Sequence, residues 1–214
     1  MYNFLKISFV FLGFIIVVIA LLVFSFTQSM KPDKDKEEAV KIQAEQYLKD
    51  NFNENFEVYD TLYDNMGNFE FEYAAKAQDK NSKTNFLIYY DDETNTMVDT
   101  YIEIKWAKEL ESEIQPFLRK NLEGKTDVYI IFENKVGRNL SIDPNDPNCY
   151  KDYDVEATIR LTIPRKKKTD DEKVFNEFVS FLKNEDKLQH GTVIVVYIAE
   201  NGVVLVDDEW RKEF

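Results

Sequence analysis

Residues 56–75, FEVYDTLYDNMGNFEFEYAA, decide the fold, because here the apolar pattern changes from a helical period to a period of two. Apolar and polar side chains alternate along 56–63 and again along 69–75, and the turn-forming residues 64–68 separate the two runs. Such alternation is typical of strands with one buried and one solvated face, and a break rich in Asp, Asn and Gly favours a reversal of the chain. The stretch therefore predicts an antiparallel hairpin.

A helix precedes this hairpin, and two further strands follow it. The charged residues 33–38 suit the N-cap and first turn of a helix. An apolar face follows at helical spacing and is formed by Val40, Ala44, Tyr47 and Leu48. Strands are predicted at 85–90 and 97–104. A helix packed on four meandering strands can bury a core of its own, so we expect residues 33–105 to form one α+β unit.

Residues 106–214 predict a second α+β unit. A helix is expected at 106–122, although Pro116 should kink or split it. The clearest local signal is TDDE at 169–172, a capping box that starts another helix. Apolar runs predict four strands, at 128–132, 155–163, 192–199 and 203–206, of which the last two are joined by the turn Asn201-Gly202. A single continuous sheet through both units is the alternative.

The chain before residue 33 has a different character. Residues 7–27 are 21 consecutive uncharged residues, dominated by Phe, Ile, Val and Leu. At about 1.5 Å per residue a helix of this length spans roughly 31 Å, the thickness of a bilayer's hydrocarbon core. A cleaved signal peptide is the alternative, but its apolar region usually has about 7–15 residues and ends in small residues. We therefore expect residues 1–30 to form an N-terminal tail and a transmembrane anchor.

These expectations define the predicted fold class. It is α+β, with an N-terminal transmembrane helix followed by two small helix-on-antiparallel-sheet units. The orientation of the anchor is less direct, because Lys6 precedes the span whereas Lys31, Lys34 and Lys36 follow it, which by the positive-inside rule favours a cytoplasmic body. A short amino tail ahead of a long apolar run is, however, the common plan of a signal anchor. We expect a single-pass protein of the cell membrane with an extracytoplasmic body.

The charge of the body restricts its partners. Without Lys6, residues 31–214 carry 26 basic and 40 acidic side chains, a net charge of −14. A field of this sign repels phosphate backbones and anionic lipid headgroups. We therefore expect no nucleic-acid partner. The expected partners are the membrane, through the single N-terminal span, and a protein at the cell surface.

Residues for catalysis are scarce. The chain has one histidine, His190, one cysteine, Cys149, and six glycines, without a G-x-S-x-G motif or a glycine-rich phosphate loop. One His and one Cys are too few for a zinc site. We therefore expect no enzyme, no cofactor, and no catalytic, cofactor-binding or metal-binding residues. The remaining enzymatic hypothesis is a hydrolase that uses carboxylates such as Asp99 or Glu103.

Three charged segments could bind ions or polyanions. The loop 143–154 concentrates Asp and Asn, but it lacks the spacing and the distal Glu of an EF-hand, and turn-rich loops have the same composition. Asp91-Asp92-Glu93 is interpreted as an ordinary hairpin end. The basic run 165–168 could touch an anionic lipid or wall polymer, but a solvated turn before the next helix is the preferred interpretation.

A resemblance spans roughly residues 35–120. It is carried by the helix 38–52, by FEFEYAA at 69–75, by VDTY at 98–101 and by Trp106 at the start of the next helix. With these features the chain resembles the small YfjL-like membrane-anchored proteins of Bacillus-type Gram-positive bacteria. The resemblance implies an exported domain behind one N-terminal helix. It implies no activity and transfers no functional residue.

The function expected from the sequence is therefore that of an interaction module. We expect a membrane-tethered, extracytoplasmic binding module that is not an enzyme. The alternatives are a structural subunit of a membrane complex and the carboxylate-based hydrolase described above.

Overall fold

The computed structural model describes the backbone of residues 2–199 and 201–214 and the side chains of 13–28, 30–199 and 201–214. It shows a mixed α+β fold with two four-stranded sheets. The helices are α1 (Tyr2–Ser29), α2 (Lys34–Asn51), α3 (Tyr101–Asn121), α4 (Val136–Asn139) and α5 (Asp171–Asn184), and short 3-10 turns occur at Tyr150–Asp152 and Val206–Asp208. The strands are β1 (Phe56–Tyr63), β2 (Tyr73–Asp79), β3 (Thr84–Asp91), β4 (Thr96–Asp99), β5 (Asp127–Phe132), β6 (Glu156–Ile163), β7 (His190–Tyr197) and β8 (Trp210–Glu213).

The first sheet is the antiparallel meander β1-β2-β3-β4. It packs on α2, whose Val40, Ala44 and Leu48 are buried at the helical spacing read from the sequence. The predicted strand 69–75 is wrong in its first part, because β2 begins only at Tyr73. The Asp64 carboxylate accepts hydrogen bonds from the N–H groups of Met66, at 3.0 Å, and Phe69, at 2.7 Å, which lengthens the turn.

The boundary between β4 and α3 also differs from the prediction. The strand expected at 97–104 ends at Asp99, and α3 begins at Tyr101. The Asp99 carboxylate accepts a hydrogen bond from the Tyr101 N–H at 2.9 Å, which satisfies one of the free donors of the first helical turn. Pro116 lies inside α3 without splitting it, since the helix continues to Asn121.

The second sheet has the order β5-β6-β7-β8, and it is mixed. Strands β6 and β7 are parallel, while β5 and β8 pair antiparallel with their neighbours. The prediction of two antiparallel sheets is therefore wrong for the second one, because α5 connects β6 to β7 as a crossover and returns the chain to the same end of the sheet. The alternative of one continuous sheet is not found among the described residues, whose strands form two separate sheets.

The C-terminal hairpin is shorter than predicted. The turn at Asn201-Gly202 forms, and Gly202 has φ +83°. The described residues that follow the turn make only one isolated β-bridge, between Ile198 and Val204. The strand predicted at 203–206 is wrong. Instead β8 pairs with β7, and its Trp210 packs against Phe175 with ring centroids 5.3 Å apart. This aromatic contact fixes the last strand on the core.

The core connects both sheets through α3. Its buried side chains include Trp106, Leu110 and Ile114, and the same cluster contains residues of α2, α5 and both sheets. The division into 33–105 and 106–214 stays a prediction. None of the buried side chains that the structure describes belongs to α1. The described side chains of α1 thus contribute nothing to this core, and we expect residues 31–214 to fold on their own.

The N-terminal helix is long, but only part of it is described at the side-chain level. In the part of the chain that the structure describes, no helix is both long enough and apolar enough to cross a membrane. The first residues of the predicted span, 7–12, lie outside the described side chains.

Candidate functional site

A cleft of about 530 Å³ lies where the two sheets meet α3. Its lining comes from the loop 68–71, from β3, from one side of α3 and from all of β5 except Asp127. We call it the inter-sheet cleft. Its volume lies within the range of roughly 300–1,000 Å³ that is usual for ligand-binding pockets.

Aromatic side chains dominate one side of the inter-sheet cleft. The rings of Phe69 and Phe71 stack at 5.0 Å, and Phe71 contacts Tyr89 at 4.6 Å. Phe69 is 52% exposed, and on the opposite side Tyr129 is 63% and Ile131 44% exposed. Exposed apolar side chains that surround one concavity mark an interaction surface more often than scattered ones do.

A charged network forms the rim of the inter-sheet cleft. Glu70 accepts a hydrogen bond from the Tyr89 hydroxyl and pairs with Lys135 at 3.4 Å. Lys135 also pairs with Asp91 at 3.1 Å and with Glu93 at 3.8 Å. Its backbone is left-handed, with φ +61°, which for a residue with a Cβ is maintained only when the surroundings hold it. The network fixes the loop 68–71 to the β3–β4 hairpin end.

Glu103 places a carboxyl group inside the inter-sheet cleft. Its Oε1 is buried and has no hydrogen-bond partner among the described residues. Burial raises the pKa of Glu103 to about 7, and the charge of Asp99 adds to the effect, while the Lys135 and Val136 backbone N–H groups oppose it. A carboxyl group with this pKa exchanges a proton near neutral pH and can accept a hydrogen bond or an ion pair from a ligand.

Asp99 lies next to Glu103, in a smaller cavity of about 210 Å³ that both residues line. Burial raises the pKa of Asp99, although hydrogen bonds from the Tyr101 N–H, at 2.9 Å, and the Tyr47 hydroxyl, at 2.7 Å, oppose the rise. The structure thus brings together the two carboxylates named for a hydrolase. Asp99 already accepts hydrogen bonds from two donors, whereas Oε1 of Glu103 accepts none from the described residues.

The other sequence candidates lie outside the inter-sheet cleft. His190 is exposed at the start of β7. In the loop 143–154, Asp143 accepts a hydrogen bond from the Asn145 N–H at 2.9 Å, and Asn145 donates to the Asn51 carbonyl at 2.9 Å. The loop is therefore hydrogen-bonded to the C-terminal end of α2. Among the described residues no group of three His, Cys, Asp or Glu side chains could hold a metal ion.

Two of the four residues of the basic run 165–168 form ion pairs with carboxylates of the body. Arg165 donates two hydrogen bonds to Asp171, at 2.7 and 2.8 Å, and Lys168 pairs with Glu123. Burial alone would raise the pKa of Asp171, but Arg165, the Lys168 N–H and Tyr197 lower it to about 2. Asp171 therefore stays charged and binds Arg165, Lys168 and Tyr197 to one another. The expected capping box does not form, because Asp170 is the N-cap residue and its side chain makes no capping hydrogen bond.

The sequence did not identify the inter-sheet cleft. Phe69 and Phe71 stand in a run that predicts a strand, and nothing in the sequence pairs Lys135 with Glu70 or Asp91. The one usable signal was β5 itself. Five consecutive apolar residues, 128–132, exceed what a strand with one buried face needs, and such a run indicates that part of the strand contacts something besides the core.

A comparison with solved structures gives a distant likeness. No protein-family model matches the chain, and no curated protein is similar to it. The crystal structure of a DUF5037 family protein from Ruminococcus gnavus ATCC 29149 is similar at a TM-score of 0.40 and 17% sequence identity, over 76% of this chain and 76% of that chain.

Proposed function

We propose that this chain is a membrane-tethered, extracytoplasmic interaction module that binds a ligand in the inter-sheet cleft and catalyses no reaction. The observation that carries the proposal is the open, aromatic lining of the cleft, to which separate segments contribute exposed Phe69, Tyr129 and Ile131. Each square ångström of apolar surface removed from water is worth about 25 cal/mol. A ligand that covers these side chains gains that energy.

The tether is proposed from α1 and the sequence 7–27. Large apolar side chains surround the described part of α1 and are exposed, with Phe24 at 67% as the extreme. A helix that is apolar all round suits lipid better than water. We therefore propose α1 as the single-pass anchor, with the body outside the cytoplasm, as the YfjL-like resemblance also implies.

A carboxylate-based hydrolase is the second candidate. It is favoured by the position of Glu103, whose raised pKa suits a general acid or base, beside Asp99. Measurements of turnover separate the two candidates. With p-nitrophenyl esters and glycosides as substrates, we expect wild type and Glu103→Gln to be equally inactive, whereas turnover that Glu103→Gln abolishes would support the hydrolase. The third candidate function is that of a structural subunit in a membrane complex, because a permanent protein partner could cover the same apolar surface.

Ligand binding in the cleft is tested with an apolar fluorescent probe on residues 31–214. We expect Nile red, an uncharged apolar dye, to bind saturably to wild type and to lose this binding when Ala107→Trp fills the cleft, because Ala107 lines it. Ala39→Trp, on the exposed side of α2, is the matched control and should leave the signal unchanged. Equal probe binding by all three proteins would contradict a ligand site in the cleft.

A further inference from the structure

The two sheets have four edge strands, β1, β4, β5 and β8, and three of them carry features that discourage pairing with another strand. Strand β1 has an irregular register between Val58 and Asp60 and bears charges. Strand β4 has only four residues, and β8 has four residues of which three are charged. Short, irregular or charged edges are the usual protection against strand addition.

Strand β5 lacks all of these protective features. It has six residues, DVYIIF, with one charge at its first position, and its register with β6 is regular. Its outward side chains Tyr129 and Ile131 are large, apolar and exposed. Among the described residues, no hydrogen bond outside the β5–β6 ladder reaches the backbone of β5. The free edge therefore offers unpaired N–H and C=O groups to a further strand.

The free edge of β5 lies in the inter-sheet cleft. Every residue from Val128 to Phe132 lines it. Successive side chains of a strand point to opposite faces, so a cavity over one face would be lined by alternate residues only. Lining by five consecutive residues means that the cavity lies along the edge. A strand of six residues is about 20 Å long, which sets the length of chain that could pair with it.

The charges of the cleft favour a basic occupant. Both lysines that line it are engaged, since Lys135 pairs with Glu70 and Asp91, and Lys108 donates to the Lys83 carbonyl and the Thr84 hydroxyl at 3.2 Å. On α3, by contrast, the acidic residues Glu103 and Glu111 line the cleft two turns apart on the same face of the helix. The net charge of −13 acts in the same direction at long range.

We propose that the occupant of the inter-sheet cleft is an extended peptide segment of a partner protein, which adds to the free edge of β5 as a fifth strand and places a basic side chain toward Glu103 and Glu111. This inference rests on the proposed ligand-binding function and specifies the ligand. Main-chain hydrogen bonds to β5 provide the affinity, and alternate apolar side chains of the peptide cover Phe69, Tyr129 and Ile131.

The probe is a displayed library of ten-residue peptides that alternate apolar and polar positions and carry one central lysine. Peptides selected on residues 31–214 are synthesised and measured by fluorescence anisotropy. We expect N-methylation of one alternate set of backbone amides to weaken binding at least tenfold, and N-methylation of the other set to change it little. Replacement of the lysine by glutamate should weaken binding to a similar degree, and Glu103→Gln combined with Glu111→Gln should remove that preference.

Variants of the protein locate the binding. Tyr129→Lys and Ile131→Lys, at exposed edge positions that leave the core intact, should abolish binding, as should Ala107→Trp, whereas Ala39→Trp should not. If binding tolerates both N-methylated sets but is lost in Ala107→Trp, strand addition is wrong while ligand binding in the cleft stands. If Ala107→Trp binds as wild type does, both proposals fail. A library that yields no binder, or self-association of the body that Tyr129→Lys abolishes, also overturns the inference, the latter in favour of a second copy.

Discussion

Glu103 lies in the inter-sheet cleft with one carboxylate oxygen buried and, among the described residues, without a hydrogen-bond donor. Burial raises its pKa from the ordinary 4.5 to about 7, so the folded state binds the proton more tightly than the unfolded state does. The tighter binding of this proton contributes to the free energy of unfolding. The contribution is fully present below pH 4.5 and is lost as the pH rises through 7. At pH 8 the fold carries a buried, poorly solvated charge.

The first prediction follows from the raised pKa of Glu103. Glu103→Gln keeps the shape and removes the charge, so we expect it to stabilise residues 31–214 by about 3 kcal/mol at pH 8 and to change their stability little at pH 4.5. Urea unfolding at the two pH values measures the difference. Glu111→Gln, on the same face of α3, is the control and should show no such pH dependence. A Glu103→Gln protein that is less stable than wild type at pH 8 would mean that the backbone N–H groups of Lys135 and Val136 stabilise the carboxylate by more than its burial costs.

Asp171 is the opposite case, a carboxylate that the fold keeps charged. It is 4% exposed and accepts hydrogen bonds from Arg165, from Tyr197 at 2.7 Å and from the Lys168 N–H at 2.8 Å. Its pKa is lowered from 3.8 to about 2, because these donors outweigh the burial. The stability it contributes is therefore present above pH 4 and is lost as the pH falls from about 4 to 2.

We expect Asp171→Asn to destabilise the body by about 2–4 kcal/mol at pH 7, because Arg165 is left without its counter-charge. The difference from wild type should shrink by roughly 2 kcal/mol between pH 4 and pH 2. Asp170→Asn, at the neighbouring position without a side-chain cap, is the matched control and should change stability by less than about 0.5 kcal/mol. A deficit that does not depend on pH would argue against an ionised Asp171.

For single residues, the sequence predicts which apolar side chains are buried, but it does not predict which residues the charged side chains contact. The apolar face of α2 is confirmed, with Val40, Ala44 and Leu48 buried. Asp171 was assigned to a capping box because only local spacing is visible in a sequence. One of its partners, Tyr197, is on β7, and the two meet because β7 is the parallel neighbour of β6, a pairing that no local pattern encodes.

Among the elements, the parallel pair β6–β7 makes the most specific demand on side-chain size. Gly191 lies directly opposite Ala157, and a Cβ on Gly191 would stand 2.4 Å from the Ala157 carbonyl oxygen. Backbone oxygen in a ladder cannot move aside as a flexible side chain can. Gly191→Ala should therefore cost at least about 2 kcal/mol.

Gly202 provides the matched control for this third prediction. It has φ +83° and open space where a Cβ would stand, so Gly202→Ala suffers only backbone strain, about 1 kcal/mol. Thermal or urea unfolding of both variants of residues 31–214 gives the comparison. Equal losses, or a stable Gly191→Ala protein, would mean that β6 and β7 are further apart than the structure shows.

The predictions of elements were reliable for periodicity and weak at boundaries. β1, β3 and β6 occur within one residue of the bounds predicted at 56–63, 85–90 and 155–163. The strand predicted at 97–104 ends early. Ile102, Ile104 and Trp106 alternate with charged residues as in a strand, but the buried Ile102 and Trp106 are also four residues apart, as on one face of a helix. The 69–75 run was misassigned because Phe69 and Phe71 alternate in sequence but pack on each other beside the inter-sheet cleft.

For the whole molecule, the arrangement of the sheets explains both the cleft and why the sequence did not predict it. α3 contributes to the common core with one side and lines the inter-sheet cleft with Glu103, Ala107 and Glu111. A cleft of this kind exists only once two sheets have packed around one helix. Periodicity predicts the individual helices and strands, and it is silent on how they pack together.

The fourth prediction concerns the proposed anchor. If residues 7–27 stay attached and span the bilayer, the mature protein should fractionate with membranes at 25.3 kDa and resist carbonate extraction. Replacement of Val17 and Ile19 by aspartate should release it, because two charges at the centre of a span cost several kcal/mol. A mature form roughly 3 kDa lighter in the soluble fraction would show a cleaved signal peptide instead.

The fifth prediction concerns the side of the membrane on which the body lies. The native Cys149 is half-buried, so a thiol at an exposed position reports more clearly. In a Cys149→Ser background, Asp92→Cys at the exposed β3–β4 turn should react with a membrane-impermeant maleimide on intact cells without their wall. Asn3→Cys, in the amino-terminal tail, should react only after lysis. Both thiols are needed, because the lysines that follow the span favour the opposite orientation, and the reversed labelling pattern would place the cleft and the β5 edge in the cytoplasm.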